Sequence, residues 1–392
     1  MTPAPDELAA PLAAWLARKL GAGHVEVTDL SRAPAGQSND TLLCSVLADG
    51  HREQLVVRRE ARGTTIFRSP DVQREARVLL GLRQAGIPVP AVRWVEPDPA
   101  VLGAPFFVME RVPGHVPAAK PSIHAVGWLP SLSTAERERL WHASLDVLVA
   151  VHAVDWRATH AFLLDGDPAT ATVASHVAAL AEWYRWSTAG REFPVTDAAV
   201  EHLEREAGRL DLGEPVLLWG DPRVGNMIIA PDLSVAAAID WETAAIGPPE
   251  RDVAHWLFFD EFQTEAIGVE RLPGWPDREA TIAAYEARAG RRLADLALFD
   301  VMELVFMATT LIRQADARVA RGLARPGTRM GHDNTVTQML ARRLGLPVPE
   351  LSPDYLAHRG VPAGSPPAGT GSRSRSHPGG RDHRSTAHRR PS

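Results

Sequence analysis

Cysteine is nearly absent from the sequence. Cys44 is the only one in 392 residues, so the chain cannot form an internal disulfide, and we expect a reducing compartment. Cys44 lies in an alternating apolar stretch, where a small buried residue is much more common than a reactive thiol.

Long apolar runs are missing as well. No run approaches the roughly 18 residues that a membrane-spanning helix needs, and the N-terminus lacks a basic segment followed by an apolar core. We therefore expect a cytoplasmic protein without a membrane partner. The length is sufficient for two lobes with a sizeable core.

Lysine is the second scarce residue. Lys19 and Lys120 are two of the 42 basic residues, which leaves 40 arginines. Lys19 lies at the end of a predicted helix, and Lys120 lies in a proline-rich connection. A site that needs a cation on a strand must therefore use arginine.

Positive charge is scarce outside the C-terminal end. The whole chain has a net charge of −6, but residues 350–392 hold seven arginines against three acids. The other residues, 35 basic and 45 acidic, carry a net charge of −10, which disfavours a nucleic-acid partner. We interpret the basic end as a solvated extension, with a nucleic-acid or membrane arm as the alternative.

Periodicity divides the chain into a strand-rich part, a helical part and a tail, at residues 1–110, 111–346 and 347–392. The first part has predicted strands at 25–30, 41–47, 54–58, 92–95 and 104–110, and predicted helices at 6–20 and 71–82. After Pro113-Gly114 the pattern predicts helices at 134–152, 173–188, 196–210, 250–259, 278–289, 294–319 and 335–344. The tail is rich in Pro, Gly, Ser and Arg and is predicted to be disordered.

A turn rich in small polar residues precedes the strand at 41–47. Such a turn can cover phosphates with its backbone N–H groups and the Ser38 hydroxyl, and a plain surface hairpin is the alternative. The strand at 54–58 favours the phosphate interpretation, because its alternation places Val56 and Arg58 on one face.

Arg58 is the best candidate for a phosphate-binding cation on that strand, since guanidinium binds phosphate through two N–H groups. Glu75, on the next helix, could pair with Arg58 and hold it. The alternative is a solvated glutamate beside Arg74 and Arg77.

Residues 219–242 contain the main candidates for chemistry. Two apolar runs that flank a turn predict a β-hairpin over residues 227–239. Asp221 and Asn226 precede the first strand and Asp240 follows the second, so the hairpin brings all three side chains to one end. The interval from Asp221 to Asn226 and the later Asp match the protein kinase catalytic loop. We infer a phosphoryl-transfer site.

Taken in order, these stretches resemble the aminoglycoside phosphotransferase and choline kinase-like superfamily, closest to the branch with the phosphotransferase modules associated with acyl-CoA dehydrogenases. The resemblance covers roughly residues 25–345. It is carried by Gly36-Gln37-Ser38-Asn39, Val56-Val57-Arg58-Arg59, Arg74-Glu75, residues 86–90, 103–111, 152–156 and 219–242, and Gly247-Pro248-Pro249-Glu250-Arg251-Asp252.

The resemblance implies an α+β, bilobal protein-kinase-like fold. Its N-lobe is a small β-sheet with one key helix, and its larger, mainly helical C-lobe carries the catalytic hairpin. ATP and Mg²⁺ are the implied cofactors. The residues implied in ATP binding are Gly36, Ser38, Asn39, Val56, Arg58, Glu75, Glu110 and Val112, with the backbone of residues 110–112 available to a purine edge.

The resemblance also implies roles within the central stretch. Asp221 would be the base that orients the acceptor hydroxyl and takes its proton, while Asn226 and Asp240 would hold Mg²⁺. Asp252 would buttress the catalytic loop, cap the following helix, or do both. Arg223 would steady Asp221 or contact phosphate, and a loop salt bridge is the alternative.

One residue departs from the superfamily pattern. Trp219 stands two positions before the base, where histidine is usual. Because that histidine takes no proton from the substrate, its replacement leaves the expected chemistry intact, but the packing of the loop is unexplained.

We therefore expect a small-molecule kinase that transfers the γ-phosphoryl group of ATP to a hydroxyl of a metabolite or an antibiotic. A hydroxylated metabolite ranks above an aminoglycoside, because the sequence has no concentrated acid cluster for a cationic ligand. The alternative is a catalytically silent ATP-binding regulator. A metal hydrolase built on the 15 histidines is disfavoured, since there is no His-Glu-x-x-His. The sequence does not predict an oligomeric state.

Overall fold

The N-terminal part of the chain forms a five-stranded antiparallel sheet. The computed structural model describes residues 4–33, 38–118, 120–210 and 212–359. The strands lie in the order β1-β2-β3-β5-β4, and two helices accompany them. The elements are α1 (Pro5–Leu20), β1 (Val25–Arg32), β2 (Asp40–Ala48), β3 (His51–Arg59), α2 (Val72–Gln84), β4 (Val92–Glu96) and β5 (Phe106–Glu110).

Alternation along β3 separates two environments. Leu55 and Val57 pack into a core beneath α1 that also contains Leu12 and Trp15. Arg58 lies on the other face and is 7% exposed. The predicted period of two is confirmed here, and it turns the Arg58 side chain away from the core formed with α1.

The rest of the described chain is mainly helical. Its helices are α3 (Thr134–His152), α4 (Trp156–Thr159), α5 (Val173–Thr188), α6 (Pro194–Glu206), α7 (Pro249–Gln263), α8 (Arg278–Ala289), α9 (Ala297–Ala320), α10 (Thr335–Leu344) and α11 (Pro353–Arg359). One large core joins these helices to the inner face of α2. Within the described ranges, no helix is both long enough and apolar enough to cross a membrane.

Two short antiparallel ladders interrupt the helices and position the central stretch. The predicted hairpin is present as β7 (Met227–Ile229) paired with β8 (Val235–Ala238). A second ladder pairs β6 (Val216–Leu218) with β9 (Ala245–Gly247), a strand that the sequence pattern did not predict. The loops at 219–226 and 239–244 lie between these ladders, so both are fixed at each end.

The prediction of disorder from residue 347 is wrong for the segment that leads into and includes α11. Tyr355 is 1% exposed, and the Ser352 amide donates to the Asp333 carbonyl at 2.9 Å. Despite its proline-rich sequence, the segment forms a short helix that buries one aromatic ring. Residues 360–392 lie outside the described part of the chain.

Candidate active site

The loop after β6 brings Asp221 and Asn226 into contact. The Asn226 side-chain amide donates to Oδ2 of Asp221 at 2.7 Å and to the Asp221 carbonyl at 3.0 Å. The amide of Ile239 donates to the Asn226 carbonyl at 2.9 Å, which places Asp240 one residue from that bond. The hairpin therefore assembles the three polar residues at one end.

Gly220 is required for this loop to form. Its φ is +88°, a conformation that side chains rarely allow, and a Cβ there would lie 2.4 Å from the Thr243 carbonyl oxygen. The loops before and after the hairpin thus touch backbone to backbone, directly before Asp221.

Asp252 holds the same loop from α7. Its Oδ2 accepts from the Trp219 amide at 2.7 Å and its Oδ1 from the Gly220 amide at 3.0 Å. His152 Nε2 lies 3.1 Å from Oδ2. These bonds confirm that Asp252 supports the catalytic loop. The alternative role as an N-cap is wrong, because α7 begins at Pro249, three residues before Asp252.

Trp219 supports the segment that carries Asp240. Its indole N–H donates to the Ile239 carbonyl at 3.1 Å, and its ring stacks on Trp241 with centroids 4.9 Å apart. Asp240 has a φ of +68°, a strained conformation that needs such support. This packing accounts for the residue that the sequence left unexplained.

Arg58 lies at the centre of a buried charge cluster. Its Nε is 3.0 Å from Glu75 Oε2, and its Nη2 is 3.1 Å from Asp240 Oδ1 and 3.2 Å from Glu242 Oε2. Its Nη1 donates to Thr41 Oγ1 at 2.9 Å. The predicted pair with Glu75 is present, and the alternative of a solvated glutamate is wrong, because Glu75 is 4% exposed.

The cluster contains more carboxyl groups than basic groups. Three carboxylates face one guanidinium, which leaves an excess of two negative charges when all are ionised. Burial alone lowers the pKa of Arg58, but the carboxylates outweigh burial and raise that pKa. Burial and the Asp240 charge raise the pKa of Glu242 to about 8. A cationic ligand would relieve this imbalance.

Ser38 and Asn39 of the polar turn reach this cluster. The Ser38 hydroxyl donates to Glu242, and the Asn39 side-chain amide donates to Glu242 Oε2 at 2.9 Å. Glu242 belongs to the stretch 219–242 that carries the family resemblance, but no local sequence pattern predicts its contact with the turn. Gly36 lies outside the described residues.

Two backbone N–H groups of the connection after β5 are bonded within the N-terminal part. The amide of Glu110 donates to the Ala91 carbonyl at 3.0 Å, and the amide of Arg111 donates to the Gln54 carbonyl at 3.2 Å. Both N–H groups are therefore used within the N-terminal part. The backbone carbonyls of residues 110–112 and the N–H of Val112 stay predicted contacts of a purine edge. Val56, on the Arg58 face of β3, is 8% exposed.

The residues that could hold a metal ion are few. Among the described residues, no group of three or more His, Cys, Asp or Glu side chains is arranged to hold a metal ion. Magnesium usually takes one or two protein oxygens and completes its shell with phosphates and water. An Asp240 carboxylate and an Asn226 amide at one end of the hairpin fit that requirement.

Asp221 is surrounded by donors. Arg223 Nε lies 2.9 Å from its Oδ1, and His255 Nε2 lies 2.8 Å from the same oxygen. Burial would raise the pKa of Asp221, but Arg223 and His255 outweigh it and hold the pKa well below the usual range. Asp221 is therefore ionised at neutral pH, as a base requires.

Sequence reasoning missed His255. The residue lies on α7, and its second ring nitrogen, Nδ1, is 2.8 Å from Glu303 Oε2 on α9. The one local signal is helical spacing, because His255 follows Asp252 by three residues and so shares its face of α7. Glu303 is 48 residues further along the chain, and no local pattern links it to His255.

Half-buried aromatic rings continue from Asp221 along one side of the site. Arg223 lies over Phe259, 4.8 Å from its centroid. Phe306 lies 6.1 Å from His255 and 5.2 Å from Trp183, which stacks with Phe67 at 5.4 Å. We call this surface the aromatic wall; its members are Phe67, Trp183, Phe259 and Phe306.

Comparisons with known proteins identify the family of the chain. The profile of the phosphotransferase enzyme family matches residues 29–296. Mouse acyl-CoA dehydrogenase family member 10 is 32% identical over 244 residues, which are 62% of this chain but 21% of that protein. The chain therefore spans about a fifth of the length of this relative.

Solved structures show the same fold. A candidate aminoglycoside phosphotransferase from Ralstonia eutropha superposes with a TM-score of 0.60 at 22% identity, over 85% of this chain and 98% of that one. A macrolide 2'-phosphotransferase type I gives a TM-score of 0.51 at 23% identity, over 80% and 92%. The predicted kinase-like fold and superfamily are confirmed, and this chain belongs to the phosphotransferase enzyme family.

Proposed function

We propose that this protein is a small-molecule kinase that transfers the γ-phosphoryl group of ATP to a hydroxyl group. Membership of the phosphotransferase enzyme family supports the class of reaction. One observation carries the proposal: an ionised Asp221 contacts Asn226, whose carbonyl is bonded to the residue before Asp240. A base and two oxygen ligands therefore lie together.

The acceptor hydroxyl would meet Asp221, which orients it and takes its proton. Phosphoryl transfer passes through a loose transition state, so catalysis consists mainly of positioning and charge neutralisation. Arg58, fixed by Glu75, supplies a permanent positive charge towards the phosphates. Arg223 steadies Asp221 through the 2.9 Å ion pair.

The nucleotide would lie between the polar turn and the hairpin. Ser38 and Asn39 would exchange Glu242 for phosphate oxygens, and Gly36 remains a predicted member of the same turn. Val56, the Glu110 carbonyl and the N–H of Val112 would contact the adenine. Asn226 and Asp240 would hold Mg²⁺, which neutralises phosphate charge when it is bound.

The aromatic wall supports an acceptor that has an apolar part beside its hydroxyl. Four half-buried rings begin next to Asp221 and Arg223. A polycationic aminoglycoside would be matched by acidic side chains rather than by these rings. We therefore rank a hydroxylated metabolite above an aminoglycoside.

A phosphorylation screen tests the proposal. The full chain is incubated with ATP, Mg²⁺ and a pool of hydroxylated metabolites, and the products are identified by mass spectrometry. A phosphorylated product that requires both ATP and Mg²⁺ is expected. ATP binding without any product, together with no release of phosphate from ATP, would instead indicate a silent nucleotide-binding regulator.

A further inference from the structure

His255 lies between two carboxylates. Nε2 is 2.8 Å from Asp221 Oδ1, Nδ1 is 2.8 Å from Glu303 Oε2, and the side chain is 1% exposed. Ionised carboxylates only accept hydrogen bonds, and a neutral imidazole has only one N–H to donate. With Asp221 and Glu303 ionised, both ring nitrogens carry protons, which makes His255 an imidazolium.

Glu303 is itself held in place. It is 1% exposed, and its Oε1 accepts from Arg251 Nε at 3.2 Å. Arg251 Nη1 lies 2.9 Å from His176 Nδ1, and His176 Nε2 lies 2.9 Å from the Ile246 carbonyl on β9. Charges alternate from Asp221 through His255 and Glu303 to Arg251, and the neutral His176 connects Arg251 to β9. Glu303, which bonds His255, is thereby held in place.

The contacts of Asp221 determine which of its oxygens is available. Each carboxylate oxygen offers about two acceptor positions. Oδ1 already accepts from Arg223 and from His255, whereas Oδ2 accepts from Asn226 alone among the contacts described. A hydroxyl that donates to Asp221 will therefore meet Oδ2.

We infer that His255 is a positioning residue for phosphoryl transfer: as an imidazolium held by Glu303, it occupies Asp221 Oδ1 and presents Oδ2 to the acceptor hydroxyl. The inference rests on the proposed function. In the step it serves, the acceptor O–H bond breaks as a new O–P bond forms. The bond from the γ-phosphorus to the bridging oxygen breaks to leave ADP, and the proton passes to Oδ2.

The surroundings of His255 set a pH range for this role. Asp221 faces it from the loop and Glu303 from α9, with Arg223 and Arg251 behind them and the rings of Phe259 and Phe306 alongside. Burial lowers the pKa of His255, but its bonds to the two carboxylates outweigh burial and raise that pKa to about 9. The imidazolium is therefore kept at neutral pH and lost above about pH 9.

The first experiment measures the protonation of His255 directly, without reference to activity. The full chain is labelled with ¹⁵N-histidine, the ring signals are followed from pH 5 to 10, and His255→Gln assigns the signal. We expect both ring nitrogens to stay protonated until about pH 9. In Glu303→Gln the ring should titrate at lower pH. A ring that titrates near its ordinary pKa of about 6.5 in the wild type would overturn the inference.

The second experiment measures turnover, as phosphate released from ATP with Mg²⁺ and water as the acceptor. His255→Phe removes both ring donors, so we expect kcat to fall about 10- to 100-fold, the usual effect of losing a residue that orients a ligand. The KM for ATP should stay within about twofold, because no ATP contact is lost.

His255→Gln keeps one donor and should be less impaired. His160→Gln is the control, since His160 is a buried histidine bonded to the Val78 carbonyl.

Further outcomes separate the inference from the proposed function. Glu303→Gln should move the alkaline limb of the pH profile to lower pH, which a merely structural role would not do. Unchanged kcat and pH profile in His255→Phe and Glu303→Gln would overturn the inference alone. If the wild type shows no turnover with water or with any acceptor, the proposed function fails. If His255→Phe does not fold, His255→Gln and Glu303→Gln decide the outcome.

Discussion

Arg58 and Glu75 form a buried ion pair between β3 and α2, with Nε 3.0 Å from Oε2 and the two side chains 9% and 4% exposed. The pair joins the sheet to the helix that packs into the large core. Arg58 also bonds Asp240 and Glu242, so one guanidinium connects the predicted nucleotide-binding part to the hairpin.

Removal of Glu75 should therefore be costly. We expect Glu75→Ala to lower the free energy of unfolding by about 2 kcal/mol, because it removes the partner that ties Arg58 to α2, while Asp240 and Glu242 still bond the guanidinium. Urea unfolding measures the change. The control is Glu182→Ala. Glu182 forms an ion pair with Arg68 in which the two side chains are 75% and 62% exposed, respectively, so its loss should lower the free energy of unfolding by less than about 1 kcal/mol. Equal losses in the two variants would contradict the interpretation.

Asp221→Asn should abolish phosphoryl transfer while leaving the fold and ATP binding nearly intact. The amide cannot take the acceptor proton, but it has the size of the carboxylate. Phosphate release and ATP binding by calorimetry measure the two properties. Asp232→Asn, in the exposed turn of the same hairpin, is the matched control and should keep full activity. Full residual activity in Asp221→Asn would remove Asp221 from the role of base.

Gly220→Ala should destabilise the protein by more than the strain of a positive φ at that residue. Gly220 and Gly50 have nearly the same φ, +88° and +86°, but a Cβ at Gly50 meets nothing within 4 Å. We expect Gly50→Ala to cost about 1 kcal/mol, the strain of a positive φ. Gly220→Ala adds a clash with the Thr243 backbone. It should cost more and reduce turnover at least tenfold, whereas similar stability and activity in the two variants would refute the close approach.

His176 should make the protein sensitive to mild acid. Burial, followed by the Arg251 charge, lowers the pKa of His176 from 6.5 to about 4. Since the pKa is lower in the folded state, this contribution to stability is complete above pH 6.5 and is lost as the pH falls towards 4. Unfolding free energies at pH 7 and pH 5 should differ less in His176→Gln than in the wild type. The exposed His51→Gln should retain the wild-type difference; an identical difference in all three proteins would exclude His176 as the cause.

Local features of the site could be predicted from the sequence. The hairpin, Asp221, Asn226 and Asp240 lie within 20 residues, and turn and strand patterns act over that range. Arg58 followed from the shortage of lysine together with the alternation of β3. These inferences need only short-range geometry, and the structure bears out the arrangement that they describe.

Contacts between distant helices could not be predicted in the same way. His255 meets Glu303 because α7 packs on α9, and local periodicity shows which face of a helix is buried but not which helix it packs against. Strand β9 has three residues, which are too few for the alternation of a strand to be recognised in the sequence. Leu80, next to the buried Leu79 on α2, is 47% exposed, because adjacent apolar positions on a helix cannot both point inward.

The stacked pair of Trp219 and Trp241 gives the site an optical signature. The two indole planes are 13° apart with centroids at 4.9 Å, and both rings are buried. At that separation their electronic transitions couple, so the pair should contribute a distinct band to near-ultraviolet circular dichroism. Because Trp219 bonds the carbonyl just before Asp240, ligands that shift Asp240 can be followed spectroscopically without any added label.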